Sequence, residues 1–229
     1  LNSIIGYSEV MLDGGDGELN DEAMEDIDII YTSGKHLLNI INDILDLSKV
    51  DAGKLEVQLE PVRLNDVIDN AMMTAAGLMG NKPVELRRNV PHRLPPVFAD
   101  ESRLRQVLIN LYSNAAKFTD HGSITISTQI VGADMQISVT DTGQGIHEDS
   151  LEKIFDEFSQ VEAEGRDPRA GAGLGLTISR KLLNLMNGRI WAESVYGEGA
   201  TFHVTIPIYN EVIHSDDMRF EDNTVAEAG

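Results

Sequence analysis

Between residues 24 and 52, Met24, Ile27, Tyr31, Gly34, Leu38, Ile41, Leu45, Ser48 and Ala52 recur in alternating steps of three and four. That spacing is a heptad seam, and it demands a long helix that buries one stripe against other helices. Ile30, Leu37 and Ile44 widen the stripe, which suits a bundle core better than a two-stranded coil. Residues 1–13 carry another helical pattern. "GGDGELN" breaks it, with Asn20 placed as N-cap of the long helix and Gly53 as its C-cap. Two helices cannot close a four-helix core, so a homodimer is the expected completion. Packing of the hairpin on the chain's own C-terminal part is the alternative.

The remainder alternates between strand and helix signals. "LEVQLEPVRL" is strand-like, residues 65–79 read as a helix, "PVELRRNV" as a strand and "LPPVFAD" as a short extended link. Asp100 is placed to cap a helix running to about residue 118. "SITISTQIV" and "MQISVTDTG" read as paired strands, residues 151–158 as a short helix, and "VEAEGRDPRAGAG" as a mobile loop without periodicity. A helix over residues 174–186 and the strands "GRIWAES" and "ATFHVTIP" follow, then a polar, acidic tail. The expected class is α+β. A helical hairpin (1–54), half of a dimeric four-helix bundle, precedes an α/β sandwich (55–209) whose mixed sheet is covered by helices on one face, and a tail or linker (210–229) ends the chain.

Composition narrows the partners. The formal charge is −20 over 229 residues, the wrong sign for a phosphate backbone, so nucleic acid is not expected. Basic patches on a partner protein could dock to such a surface. Cysteine is absent, which excludes disulfides and thiolate metal sites. No apolar run has the length of a membrane span and no signal peptide is visible. The chain opens on Leu1 in mid-helix pattern, so a fragment of something longer is expected, with membrane attachment left to upstream segments.

Three stretches carry chemistry. "GAGLGLTISRKL" feeds glycines into a helix N-terminus, where free N–H groups make an anion site or, more blandly, a tight packing turn. Its spacing matches neither a P-loop nor a dinucleotide fingerprint. "DTGQGI" puts Asp141 at a strand end beside Gly143 and Gly145. A buried carboxylate beside a flat glycine surface selects a planar ring with an amino group, hence adenine over guanine; the alternative is an Asp that caps a turn. In "NLYSNAAKF", Asn110, Asn114 and Lys117 share one face of a helix. Amide oxygens suit Mg²⁺ and the lysine a phosphate, unless the face is merely solvated. Together the three name three parts of one ligand, ATP with Mg²⁺.

Here a family resemblance enters. "RLRQVLINLYSNAAKFT", "DTGQGI", "IFDEFSQ" and "GAGLGL" resemble, in order, the four boxes of sensor histidine kinase ATP-binding domains, and "LNSIIGYSEVML" with "SGKHLLNIINDILDLSKVDAGKLE" resembles their dimerisation and phosphotransfer hairpin. The resemblance spans about residues 1–207 and implies the Bergerat ATP-binding fold. It implies Asn114 as principal Mg²⁺ ligand with Asn110 in support. It implies Lys117 and Phe118 along the nucleotide, Asp141 on adenine, and Gly143, Gly145 and Ile146 framing the ring. Gly171, Gly173, Leu174, Gly175 and Leu176 would form the lid end near the phosphates, Thr201 would be a weaker adenine-side candidate, and Arg166 or Arg169 could reach the terminal phosphate.

Two departures accompany it. The chain begins at the final "LN" of a motif like HExRTPLN, so the phosphoacceptor histidine and its neighbouring acid are expected upstream of Leu1, and none of the six histidines replaces it. Ala172 stands where Thr or Ser is common. The implied activity is γ-phosphoryl transfer from ATP to a histidine and thence to an aspartate on a response regulator receiver domain, in the cytoplasm. Hydrolases of the same fold resemble one another in a glutamate base where this chain has Asn110. A neutral amide is a poor acceptor for the proton of an attacking water, so negligible hydrolysis is expected. A nucleotide-gated, non-catalytic dimer is the third alternative.

Overall fold

A computed structural model describes residues 1–14, 17, 19–80, 82–159 and 173–211. Apart from Gly173, the loop expected between residues 161 and 173 lies outside them, as does the acidic tail from residue 212.

Helix α1 (Asn2–Leu12) and helix α2 (Asp21–Asp51) form the hairpin. Asn20 caps α2 as its position predicts, its side-chain oxygen accepting from Ala23 N at 2.8 Å. The helices meet where Gly34 leaves room for Ile5; a Cβ on Gly34 would stand 3.0 Å from Ile5 Cγ1. Tyr31 Oη donates to Glu9 Oε1 at 3.1 Å across the same contact. The seam is only partly used within one chain. Gly34 is buried and Ile27, Tyr31 and Leu38 are half-buried, but Met24, Ile41 and Leu45 remain 41–51% exposed. Ile30, Leu37 and Ile44 beside them are also exposed.

After α2 come β1 (Glu60–Val62), α3 (Leu64–Met79), β2 (Val84–Asn89), β3 (Val97–Ala99), α4 (Glu101–Phe118), β4 (Gly122–Val131), β5 (Asp134–Asp141), α5 (Gly175–Leu185), β6 (Arg189–Val195) and β7 (Gly199–Pro207). Five strands form one sheet in the order β2-β4-β5-β7-β6. β2 runs parallel to β4 and the other neighbours are antiparallel, so the sheet is mixed as expected. Alternation sorts its two faces. Ile124, Ile126, Met135, Ile137, Val139, Phe202, Val204 and Ile206 are buried on one face, under α3, α4 and α5. Thr125, Thr140, Thr201 and His203 belong to the polar face. Helix α4 is the keystone: Leu104, Val107, Leu108 and Leu111 are fully buried, each stabilising the fold by about 1.5–3 kcal/mol.

Three elements differ from expectation. "LEVQLEPVRL" contributes strand only at β1, because its partner β3 offers three residues, with Pro95 and Pro96 ahead of them. The extended link "LPPVFAD" is therefore itself a strand, antiparallel to β1. Residues 151–158 do not make an α-helix. They lie in a turn followed by a 3-10 turn at Lys153–Phe155 that stops at extended Asp156. The carbonyl of Phe155 accepts from the buried Thr177 hydroxyl at 2.9 Å, a tertiary bond in place of a helical one.

The end of α2 rests on α4 and α5. Leu47 joins the core, Asp46 accepts from Gln106 Nε2 at 3.2 Å and Arg103 at 3.4 Å, and Asp51 pairs with Lys181, which also meets Glu157 at 3.1 Å.

Candidate functional site

Asp141, the last residue of β5, pairs with Ala200 of β7 and points to the helix-covered face of the sheet. It is 6% exposed. Burial pushes its carboxyl above the usual carboxylate value, while N–H bonds from Gly143 and Ala200 oppose the shift. Gly143 N donates to Asp141 Oδ1 at 2.9 Å. A Cβ on Gly143 would collide with the carbonyl oxygen of Phe118, the same oxygen that accepts from Gln144 N at 3.3 Å. Only glycine allows this loop to sit so close to the end of α4. Its far side is pinned to the β6–β7 hairpin: Gly197 N donates to Gln144 O at 2.7 Å, and Ile146 N to Ser194 Oγ at 2.8 Å. Ser194 in turn donates to Gly199 O at 2.6 Å. Gly145 takes φ +71° within this turn.

Helix α4 leads away from that carboxylate. Phe118 is 42% exposed at its end, with Lys117 Nζ 4.8 Å from the ring centroid. Asn114 and Asn110, one and two turns earlier, are half-buried on the same face. At 1.5 Å per residue, Asn110 and Phe118 stand about 12 Å apart along the axis.

Beside Asn110, in the middle of α4, α5 begins. Leu174 is fully buried and Leu176 packs on the core, while Gly173 abuts Ser159 O. A Cβ on Gly175 would overlap Asn110 Oδ1, so the first residue of α5 is in direct contact with that amide. Asn110 Nδ2 donates to Ser179 Oγ at 3.0 Å. The first N–H groups of α5, which have no partner within their own helix, supply partial positive charge here.

The structure thus brings together Asp141, Gly143, Gly145, Ile146, Phe118, Lys117, Asn114, Asn110, Gly173, Leu174, Gly175 and Leu176. It does not bring Thr201 with them. The Thr201 hydroxyl meets Thr140 Oγ1 at 3.0 Å on the opposite face of the sheet, because one step along a strand reverses the side chain; the register partner of Asp141 is Ala200. Arg166, Arg169 and Gly171 lie outside the described residues. Sequence reasoning missed Ser179, Ser194 and Thr177, whose hydroxyls tie the site's loops and helices together. Hydroxyls at Thr177 and Ser179 among the apolar residues of "GLTISRKL" were the available signal.

Among the described residues no group of three or more His, Cys, Asp or Glu is placed to hold a metal. The donors are amides, which fit a hard cation that keeps waters and phosphate oxygens as its other ligands. Asn114 offers such a donor. Asn110 has its nitrogen on Ser179 and its oxygen against Gly175.

Residues 99–210 match the family described as histidine kinase-, DNA gyrase B-, and HSP90-like ATPase, and residues 1–53 the His Kinase A (phospho-acceptor) domain. The chain is 37% identical over 232 residues to the non-motile and phage-resistance protein of Caulobacter vibrioides, covering 99% of this chain and 27% of that protein. It is 38% identical over 210 residues to the circadian input-output histidine kinase CikA of Synechococcus elongatus, covering 90% and 28%. It therefore spans about a quarter of the length of these relatives. Full-length ShkA, crystallised with AMPPNP, superimposes with a TM-score of 0.74 at 29% identity over 91% of this chain and 43% of that one.

Proposed function

The chain is the catalytic core of a sensor histidine kinase, and from that premise we propose that it binds ATP along α4 and passes the γ-phosphoryl to a histidine, and thence to an aspartate of a response regulator. One observation carries this reading: a buried carboxylate beside the C-terminal end of α4 and a helix N-terminus packed on Asn110 in the middle of α4, two turns or about 12 Å along the axis from Phe118. An elongated ligand with an amino-bearing ring at one end and anionic groups at the other matches that span.

In this reading Asp141 accepts from the adenine amino group, and Gly143, Gly145 and Ile146 leave space for the ring. Lys117 and Phe118 line the nucleotide, and the α5 start takes the phosphates. Asn114 would hold Mg²⁺, which when bound supplies charge neutralisation for the transferring phosphoryl. Phosphoryl transfer needs positioning and charge compensation more than covalent help from the protein, which a site of amides, one lysine and backbone N–H groups provides. Hydrolysis is disfavoured because Asn110, neutral and committed to Ser179, cannot take a proton from water.

The proposed division is a phosphotransfer hairpin at 1–54, an ATP-binding domain at 55–209 and a linker at 210–229. The open apolar face of α2 supports a homodimer through the hairpin. No helix among the described residues is long and apolar enough to cross a membrane, and we place this region in the cytoplasm. The test is label from γ-labelled ATP with Mg²⁺ in the parent protein. Acid-labile, base-stable label on protein is expected. Free phosphate with no label trapped on protein at any time would refute the kinase reading.

A further inference from the structure

We propose that Ser179 is a positioning residue of the phosphate end, holding Asn110 so that α4 and the start of α5 keep one fixed spacing before nucleotide arrives. The inference rests on the ATP-binding reading above.

Ser179 lies on the core side of α5, 2% exposed, with Ile178 and Leu182 buried beside it. A hydroxyl among apolar side chains is costly unless bonded, and its partner is Asn110 Nδ2 at 3.0 Å, 69 residues away in the chain. The other end of the same amide, Oδ1, fills the place a Gly175 side chain would need. Gly175 and Ser179 are four apart and therefore share one face of α5. One amide is thus gripped at both ends by one helix. Without an acceptor at 179 the two orientations of the amide become comparable in energy. With it, the oxygen is turned to the first turn of α5, whose N–H groups have no partner within the helix. Gly175 sets the closeness of the approach and Ser179 sets its rotation.

The consequence is selective. Asp141 and its loop are pinned by Gly143, Ser194 and Gly197, none of which touches Ser179. Loss of the hydroxyl therefore disturbs ligands with a polyphosphate and a cation, and spares adenosine.

The experiment measures ATP–Mg²⁺ binding by calorimetry and adenosine binding by competition, for wild type, S179A, S179T, N110A and the N110A/S179A pair. S179A is expected to weaken ATP–Mg²⁺ about tenfold, because the amide is then no longer oriented before binding, with adenosine changed less than twofold. S179T restores the affinity, and S179A adds nothing in the N110A background. Should S179A fail to fold, S179C, a similar volume with a weak acceptor, carries the same expectations. Wild-type ATP affinity in S179A, equal weakening of both ligands, or additive effects with N110A would each overturn the proposal. A wild-type chain that bound adenosine and ATP equally well would remove the functional reading beneath it instead.

Discussion

Asp141→Asn separates the cost of the site from its use. Burial holds the Asp141 carboxyl above its usual value in the folded chain, against the N–H bonds of Gly143 and Ala200. A group whose folded pKa is raised binds more protons folded than unfolded, so it lowers stability as pH rises from the unfolded value through the folded one. At neutral pH the carboxylate is therefore a standing cost to the nucleotide-free protein. Asparagine has the same shape, keeps one oxygen for Gly143 N and carries no charge, so the nucleotide-free melting temperature should be unchanged or higher. Binding should move the other way. The new amide hydrogens would face the adenine amino group, donor against donor, and a hydrogen bond to a charged acceptor is lost. That bond is worth about 1.5–3 kcal/mol, or roughly 10- to 150-fold in affinity at 1.4 kcal/mol per decade. Calorimetric titration with ATP and a thermal melt without it test both signs. For the wild type, affinity should also fall on acidification at a pH above the ordinary carboxylate range, and this fall should vanish in the variant. Unchanged ATP affinity in a variant that melts like the wild type would sink the assignment of the adenine end.

Thr201→Val should leave ATP affinity within about twofold, since the hydroxyl meets Thr140 on the far face of the sheet; a tenfold loss by the same titration would put that residue back in the site. Leu45→Glu places a charge on the open face of α2, where Leu45 is 51% exposed in one chain. A dimer has two such positions, so losing about 2 kcal/mol at each should weaken association roughly a thousandfold, and sedimentation should report monomer; a persistent dimer would exclude this face. Lys181→Ala removes the ion pairs with Asp51 and Glu157, both partly exposed, so the loss should stay under about 1 kcal/mol and shift melting by no more than about 3 °C. A larger shift would make that junction a main support of the hairpin.

How much of this was legible depended on how local each cause is. Asn20 and Asp100 cap their helices where their spacing predicts, because a cap is a contact across three residues. The sheet strands β4 and β5 were equally plain, their alternation being a property of the strand itself. Residues 151–158 misled because their apolar spacing is helical, yet a hydroxyl 22 residues away takes the Phe155 carbonyl. The hairpin's open face lies between these cases: the seam was visible, but which part of it α1 would cover was decided by the fit of Ile5 against Gly34.

The site divides along the same line. Its glycines were legible because each marks a place where backbone must approach backbone or an amide, as Gly143 does at Phe118 and Gly175 at Asn110. The side chains that hold those approaches were not, since serine on a helix or strand is an ordinary residue until its partner is known. Thr201 shows the limit most sharply. A hydroxyl near the right glycine looked like a ligand group, and one residue of register, set by the pairing of Ala200 with Asp141, sent it to the wrong face. The proposed adenine end is held by backbone pairing together with the Ser194 hydroxyl and the Asp141 carboxylate, and should tolerate side-chain change elsewhere around it. At the proposed phosphate end one amide bridges two helices, and affinity for the charged part of the ligand should be the more easily tuned by substitutions such as those at Ser179.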